Sequence, residues 1–366
     1  MPVALVRSLT LASYLAAALA IVWFASERNA LLFIVGSGLG LAFLLGNIGF
    51  ASSWRSFILR REAGGMVTTL LLMALAGIVL MTALAQVDNT VGSVAPLGIS
   101  VIVGAFIFGV GMQLGGGCGS GTLVVAGGGN QHALLVLLFF LPGSLLGSLD
   151  LPAWLARPNV GQVVLPERLG VPAALLLHLL ALAAIAAVIA RGARRAGKAW
   201  RPSRRQLAGC AAAVALMLAT LFFSGRLWSI TYGHALWGAK LADMAGLPVA
   251  ETEFWGYPGP AADLANSVLA DVTSVMNLGL LAGVAAWTIW TGRGAERVPF
   301  APKAALAAAA GGLLMGYGAR LSFGCNIGAL LSGSASGSLH AWLWFAAAWA
   351  GTHPGLALRR RLGMEG

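Results

Sequence analysis

The chain has 366 residues, of which 58% are hydrophobic and only 10% are charged, and its mean hydropathy is +0.85. Soluble domains are normally about a quarter charged, so this composition excludes a water-soluble domain. The formal net charge is +11, but the basic residues stand in short connectors between apolar stretches, which argues against a nucleic-acid surface. Three cysteines are too few for a disulfide framework.

Apolar segments of the length that the hydrocarbon core of a bilayer requires follow one another along the whole chain. They are predicted at Leu5 to Ala25, Ala30 to Ala51, Met66 to Ala85, Leu97 to Met112, Ala133 to Leu149, Val171 to Ala190, Leu207 to Ser224, Val268 to Trp290, Ala304 to Gly318 and Leu339 to Ala357. The first resembles a signal peptide but lacks a convincing cleavage site, so we expect it to be retained. The prediction is therefore an all-α polytopic membrane protein.

The connectors carry their positive charges unevenly. Lys and Arg in short loops favour the cytoplasm. With the N-terminus inside, the cytoplasmic side holds Arg7, Arg55, Arg60, Arg61, Arg191, Arg194, Arg195, Lys198, Arg201, Arg204, Arg205, Arg293, Arg297, Lys303, Arg359, Arg360 and Arg361. The opposite side holds only Arg28, Arg157, Arg168, Arg226 and Lys240. This asymmetry predicts that both termini are cytoplasmic.

A glycine-rich motif occurs twice at one constant offset. The first copy runs from Gly109 to Leu123 and reads GVGMQLGGGCGSGTL, and the second runs from Gly316 to Leu330 and reads GYGARLSFGCNIGAL. The two copies share four glycines, two leucines and the cysteine at matching positions. In the charge-derived topology, the segment before the first cysteine runs inward and the segment before the second runs outward. We therefore predict a single membrane domain of two inverted five-span repeats, residues 1 to 170 and 171 to 366, with a solute site at their interface.

Glycine and small side chains dominate the chain around Cys118 and Cys325, so a re-entrant hairpin is expected at each cysteine in place of a continuous helix. Helix that resumes after each cysteine would present free backbone N–H groups to an anion. A weaker correspondence pairs the stretch that begins at Gly49 with the one that begins at Ser229. The predicted pathway residues are Cys118, Cys325, Gly117, Gly119, Ser120, Gly121, Gly324, Asn326, Gly49 and Ser229.

Other polar residues receive simpler interpretations. Cys210 lies among alanines and is expected to pack as a small hydrophobe. Arg320 either attracts an anion or extends to the outer interface. A closed metal site needs three or four ligands, and the histidines are scattered over connectors, so no metal or other cofactor is predicted. The sequence contains no Walker loop, nucleophile elbow, HExxH motif or Rossmann fingerprint, so the protein is predicted not to be an enzyme.

Three stretches resemble the YeeE/YedE family of bacterial inner-membrane sulfur-transport proteins: Gly115 to Thr122, Phe323 to Leu330 and Ser332 to Trp344. The resemblance implies a helical hourglass, at whose waist cysteine thiols pass thiosulfate across the membrane by S–H hydrogen bonds. Cys118 and Cys325 match two family cysteines. Gly49 stands in the stretch that usually carries a third, which leaves another sulfur or selenium anion open.

The leading hypothesis is import of thiosulfate or a related sulfur-containing anion through a bacterial inner membrane. Cys118 and Cys325 would be relay contacts, and Ser120, Asn326 and the hairpin amides would donate to the anion. The alternative is a relay of persulfide sulfur to a soluble TusA-like carrier, which the resemblance implies as a partner. A general anion channel is a third interpretation and would pass sulfate as well as thiosulfate.

Overall fold

The computed structural model describes residues 3–294 and 301–364, which are predominantly helical. Arg297, one of the predicted cytoplasmic charges, lies outside the described residues. The helices as far as residue 170 are α1 Val3–Phe24, α2 Glu27–Gly46, α3 Phe50–Arg60, α4 Gly64–Ala76, α5 Thr82–Gln86, α6 Ile99–Leu114, α7 Gly119–Gly127, α8 Gln131–Leu155 and α9 Leu165–Leu169. A π-helical turn, Gly77–Met81, joins α4 to α5. Strands β1 Pro96–Gly98 and β2 Asn159–Gln162 pair antiparallel.

The second part of the chain contains longer helices and one further π-helix. The helices are α10 Val171–Arg195, α11 Arg204–Ser224, α12 Thr231–Met244, α13 Glu253–Gly256, α14 Pro258–Ala265, α15 Val272–Thr291, α16 Pro302–Leu321, α17 Gly333–Ala335 and α18 His340–Arg361. The π-helix is Asn326–Ser332, and short 3-10 turns occupy Val249–Glu251 and Val268–Ala270. Asp271 accepts a hydrogen bond from the Ser274 amide at 2.7 Å and caps the N-terminus of α15.

Nine helical segments of the described residues are long and apolar enough to cross a membrane. They correspond to the first nine predicted segments, and an all-α polytopic membrane protein is confirmed. The tenth predicted segment is α18, which has sufficient length at 22 residues. It is less apolar than the others because it carries two histidines, three tryptophans and Pro354. Segment α1 is the most exposed of the nine, as expected for a helix at the lipid boundary.

Glycines bring pairs of long helices into close contact. Helix α8 packs along α16, and α6 packs along both α16 and α18. At Gly143 of α8, an added Cβ would lie 2.9 Å from the Leu313 Cα and closer still to the Leu313 carbonyl oxygen. At Gly109 of α6, it would collide with the Ala348 carbonyl. Small residues allow such backbone approach in membranes, where van der Waals packing drives helix association.

We therefore predict that Gly143→Ala destabilises the protein by about 1–3 kcal/mol, because the added methyl group overpacks the α8–α16 contact. The measurement is the melting temperature of the detergent-solubilised protein. Gly259→Ala is the matched control, since an added Cβ at Gly259 meets nothing within 4 Å among the described residues. Equal melting temperatures for the two variants would contradict the close approach.

Candidate functional site

The chain leaves helical geometry between α6 and α7. Helix α6 ends at Leu114, and α7 begins at Gly119. Gly116 adopts a φ of 80°, a left-handed conformation that glycine accepts without strain. Cys118 is the N-cap residue of α7, with extended backbone. The first amides of α7 therefore lie directly after the thiol, where intrahelical acceptors are lacking.

A similar break separates α16 from the π-helix Asn326–Ser332. Phe323 and Gly324 both have positive φ, 60° and 151°, and Cys325 is the N-cap residue of the π-helix. The Leu330 amide donates to the Cys325 carbonyl, the five-residue spacing that defines this helix type. Single π-helical turns occur frequently at functional sites. Each cysteine thus precedes a resumed helix, which is the local arrangement that the sequence predicts.

The two breaks meet, and they bring Cys118 and Cys325 close together. A Cβ added to Gly119 would lie 3.2 Å from the Cys325 Sγ, and a Cβ added to Gly121 would lie 3.4 Å from the Cys118 Sγ. The two cysteine side chains are close enough to interact electrostatically. Both are almost wholly buried, with exposed fractions of 2% for Cys118 and 0% for Cys325. The structure therefore joins the two cysteines that the duplicated motif singles out.

Polar groups surround the thiols. The Ile327 amide donates to the Cys325 Sγ at 3.4 Å, and the Cys118 Sγ lies 3.5 Å from the Ser120 Oγ. Asn326 is fully buried, and neither atom of its side-chain amide has a hydrogen-bond partner among the described residues. Buried polar groups are normally satisfied, so an unpaired amide on the residue that follows Cys325 indicates a place for a polar ligand or water.

Two further predicted pathway residues, Ser229 and Gly49, differ in whether they contact the cysteine-bearing segments. Ser229 faces the π-helix, since a Cβ added to Gly328 would lie 3.2 Å from the Ser229 Oγ. Gly49 is the N-cap residue of α3, and its carbonyl accepts a hydrogen bond from the Ser53 hydroxyl. Apart from its chain neighbours, a Cβ added to Gly49 would meet only Ser52 within 4 Å among the described residues. The contacts thus bring Ser229, but not Gly49, to the cysteine-bearing segments.

Two serines of this region were missed by the sequence interpretation. The Ser93 hydroxyl donates to the Gly328 carbonyl at 2.7 Å, and the Ser93 amide donates to the Ser336 Oγ at 2.8 Å. These two hydrogen bonds attach the loop before β1 to the π-helix and to the residue that follows α17. Ser336 belongs to a serine-rich stretch that was recognised in the resemblance, but Ser93 stands in an ordinary loop sequence. No local signal distinguishes it.

Arg320 lies inside the protein, with an exposed fraction of only 8%. Its Nε donates to the Ser148 Oγ at 2.9 Å, and its guanidinium lies 4.7 Å from the Phe254 ring centre and 5.7 Å from that of Tyr232. Its guanidinium is therefore enclosed by protein groups, and its position relative to the outer interface stays a prediction. Burial is tolerated because a hydrogen bond and two ring faces replace part of its hydration.

Cys210 lies apart from the other two cysteines. It is buried on α11, and its Sγ lies 3.7 Å from the Thr68 carbonyl oxygen of α4. Its surroundings are those of a small packed hydrophobe, as the sequence predicts. In the part of the chain that the structure describes, no group of three or more His, Cys, Asp or Glu side chains is arranged to hold a metal ion.

Residues 45–353 match the family described as Sulphur transport. The Thiosulfate transporter TsuA of Spirochaeta thermophila is 29% identical over 334 residues, which cover 85% of this chain and 92% of that protein. The Probable transporter YedE of Escherichia coli is 33% identical over 136 residues, or 37% of this chain and 33% of that protein. Its Salmonella typhimurium counterpart is 32% identical over 149 residues, or 40% and 35%. These two alignments span about a third of each YedE protein.

The burial of the cysteines predicts their reactivity. In folded protein, we expect Cys118, Cys210 and Cys325 to resist a bulky maleimide at short labelling times and to react after denaturation in detergent, because access to the sulfur limits alkylation. Mass spectrometry counts the labels. Asp88→Cys supplies an exposed control thiol in the loop after α5, and it should react at once. Rapid labelling of Cys325 in the native protein would contradict the structure.

Proposed function

Because this chain belongs to the sulphur transport family, we propose that it moves thiosulfate or a related sulfur-containing anion into the cytoplasm along a pathway lined by Cys118 and Cys325. The observation that carries the proposal is the meeting of two buried thiols beside an unpaired buried amide. The same pathway would be lined by Ser120, Asn326, Ser229 and four glycines close to the cysteines in the sequence. The four glycines are Gly117, Gly119, Gly121 and Gly324.

Thiols suit a sulfur anion that must bind briefly and leave. Each S–H group is a weak, uncharged donor, and its sulfur is large and polarizable. Thiosulfate carries a similarly soft terminal sulfur, whereas sulfate presents only oxygen atoms. A fixed cation at the waist would hold a dianion tightly, and conduction requires sites weak enough to release their ion. Two neutral thiols in sequence satisfy that requirement.

Backbone and amide groups would supply the remaining stabilisation. The first amides of α7 point away from their own helix, and a helix N-terminus attracts negative charge. Asn326 has one amide group that donates and one oxygen that accepts, both unpaired among the described residues. An unsatisfied buried polar group costs about 1–3 kcal/mol. A passing oxyanion, or the water that replaces it, would remove that cost at the Asn326 side chain.

The burial of both sulfurs favours a small anion over a protein-bound persulfide. A soluble TusA-like carrier would have to bring its own reactive sulfur into contact with Cys118 or Cys325. Exposed fractions of 2% and 0% leave no surface on which a protein could dock at these atoms. The loop charges support the proposed inward direction, because Lys and Arg in short loops favour the cytoplasm and predict both termini on that side of a bacterial inner membrane.

We predict that Cys118→Ala and Cys325→Ala each abolish uptake of radiolabelled thiosulfate, because each removes one of the two soft contacts. Uptake is measured in cells that lack their own sulfur importers, with membrane expression of each variant quantified. Cys210→Ala is the matched control and should retain native uptake. Cys118→Ser should be intermediate, since a hydroxyl keeps the donor but not the polarizable atom.

Excess sulfate should leave native uptake unchanged, and mass spectrometry of the loaded protein should find no sulfur adduct on Cys118. Competition by sulfate would indicate a general anion channel, and a persulfide on Cys118 would support the relay. Undetectable native uptake despite good expression would overturn the assignment of thiosulfate.

A second prediction concerns the unpaired amide. Asn326→Leu replaces the amide by an apolar group of similar size, so we expect an unchanged or higher melting temperature together with a loss of uptake of at least about ten-fold. Thermal unfolding of purified protein and the uptake assay are the two readouts. Ile327→Leu, at the neighbouring position, is the control for packing. If the Asn326→Leu variant takes up thiosulfate at the rate of the unaltered protein, the amide does not contribute to the pathway.

A further inference from the structure

Arg320 is a buried cation with unused hydrogen-bond donors. Its exposed fraction is 8%, and the bond from its Nε to the Ser148 Oγ is its only side-chain hydrogen bond among the described residues. The one ion pair between described residues joins Arg60 to Glu62, so none of them pairs with Arg320. The N–H donors of both Nη atoms therefore remain free. A buried charge is costly unless it is paired, so an anion is expected at these donors.

Aromatic rings enclose the guanidinium. The ring centres of Phe254 and Tyr232 lie 4.7 Å and 5.7 Å from the Arg320 Cζ. Trp255 packs against both rings, with its ring centre 5.2 Å from that of Phe254 and 6.4 Å from that of Tyr232. Ring faces stabilise a cation but accept N–H hydrogen bonds only weakly. The rings thus reduce the cost of burial and leave the Nη donors available to an oxyanion.

Trp255 supplies a second unused donor. Its exposed fraction is 0%, and its Nε1 is a buried atom without a hydrogen-bond partner in the described ranges. A buried indole N–H usually has a partner. Trp255 is held in place by a small apolar cluster of its own, which contains Ala235, Leu236, Ala239, Ala242 and Val249. Helix α13 therefore places an unpaired donor and the Phe254 ring in the surroundings of Arg320.

Acidic side chains of the neighbouring segments have other partners. The Tyr232 hydroxyl donates to the Asp263 carboxylate, and the Tyr317 hydroxyl donates to the Asp150 carboxylate at 2.8 Å. Neither carboxylate forms an ion pair with Arg320. The protein therefore binds both carboxylates through hydroxyl groups and leaves the guanidinium for a negative charge that comes from outside the chain.

Arg320 also belongs to the helix break that leads to Cys325. Its carbonyl accepts a hydrogen bond from the Phe323 amide at 3.3 Å, where α16 ends. In the predicted topology α16 runs outward, and α12 to α14 follow a helix that also ends on the outer side. The guanidinium would then lie on the outer side of the thiols.

We propose that Arg320 and Trp255 form a binding site for a sulfur-containing oxyanion, which is captured there before it reaches the thiols. The choice of thiosulfate rests on the function proposed above. The guanidinium and the indole bind its oxygen atoms, while the rings of Phe254 and Tyr232 contact its terminal sulfur, since sulfur packs favourably against aromatic rings. Sulfate has oxygen on every side, so the same rings remove its hydration without replacing it. A single cation lets the dianion leave again.

The test is binding of radiolabelled thiosulfate to purified protein in detergent, by equilibrium dialysis. The Cys118→Ala and Cys325→Ala double variant removes the thiol contacts, so the binding that remains reports on the second site. In that background, Arg320→Gln should raise Kd about ten-fold, the loss expected for one charge-assisted hydrogen bond. Trp255→Phe keeps a ring but removes the N–H, and it should raise Kd about five-fold.

Matched controls make the same changes at exposed positions. Arg157→Gln and Trp23→Phe, in the same background, should leave Kd unchanged, because both side chains are exposed and far from the site in sequence. Melting temperatures without ligand identify any variant that does not fold. Unchanged Kd in folded Arg320→Gln protein, or no thiosulfate binding by the folded cysteine double variant, would overturn the proposal.

Competition tests the site without a change at Arg320. Sulfate and phosphate should displace thiosulfate from the cysteine double variant only at about ten-fold higher concentrations than unlabelled thiosulfate. Phosphatidylglycerol should not displace it, because rings and protein backbone enclose the guanidinium. Displacement by sulfate as readily as by thiosulfate would overturn the contact with the terminal sulfur. Displacement by phosphatidylglycerol would assign Arg320 to a lipid headgroup and overturn the proposal.

The binding and uptake assays fail independently. Binding that depends on Arg320 in a protein without thiosulfate uptake would retain the anion site and reject the transport function. Native uptake together with thiosulfate binding that is the same in the Arg320→Gln variant would do the reverse.

Discussion

Interrupted backbone inside a membrane must find hydrogen-bond partners within the protein, and that requirement organises this structure. Where α6 ends, Arg359 and His132 contact the carbonyls of Gln113 and Gly115. Where α16 ends, the Ser322 hydroxyl donates to the Gly324 carbonyl, while the Trp344 indole donates to Ser322. Arg359 and Trp344 belong to α18 and His132 to α8, so long helices that pack against the two breaks help to stabilise them. The break before α7 also leaves the first amides of that helix without intrahelical acceptors.

Much of this arrangement could be predicted from local sequence. Apolar length located the membrane segments, and glycine content located both helix breaks, because these signals act over a few residues. The burial of Arg320 and the position of Ser93 could not be predicted, since both depend on contacts between distant segments. The contact of Arg359 with the Gln113 carbonyl has the same origin. The division into inverted repeats, residues 1 to 170 and 171 to 366, stays a prediction.

The duplicated motif differs where its surroundings differ. Gln113 in the first copy corresponds to Arg320 in the second, and Gly116 corresponds to Phe323. Arg320 is enclosed by two rings and a serine, whereas Gly116, which has no side chain, lies beside Arg359 and His132. The two cysteines are therefore preceded by different residues in the two copies of the motif. This inequality would give the proposed pathway different electrostatic surroundings on the two sides of the cysteines.

Binding sites along the proposed pathway can speed the passage of an anion, but they cannot by themselves drive net uptake. Binding sites change rates and occupancies, whereas net movement follows the electrochemical gradient. Moving one charge across 100 mV involves about 2.3 kcal/mol, so a dianion that enters a negatively charged cytoplasm is opposed by about 4.6 kcal/mol. Accumulation of thiosulfate therefore requires either that the cytoplasm consumes it or that positive charge enters with it. Weak neutral thiols at the waist fit the first case, because they allow release as soon as the cytoplasmic concentration falls.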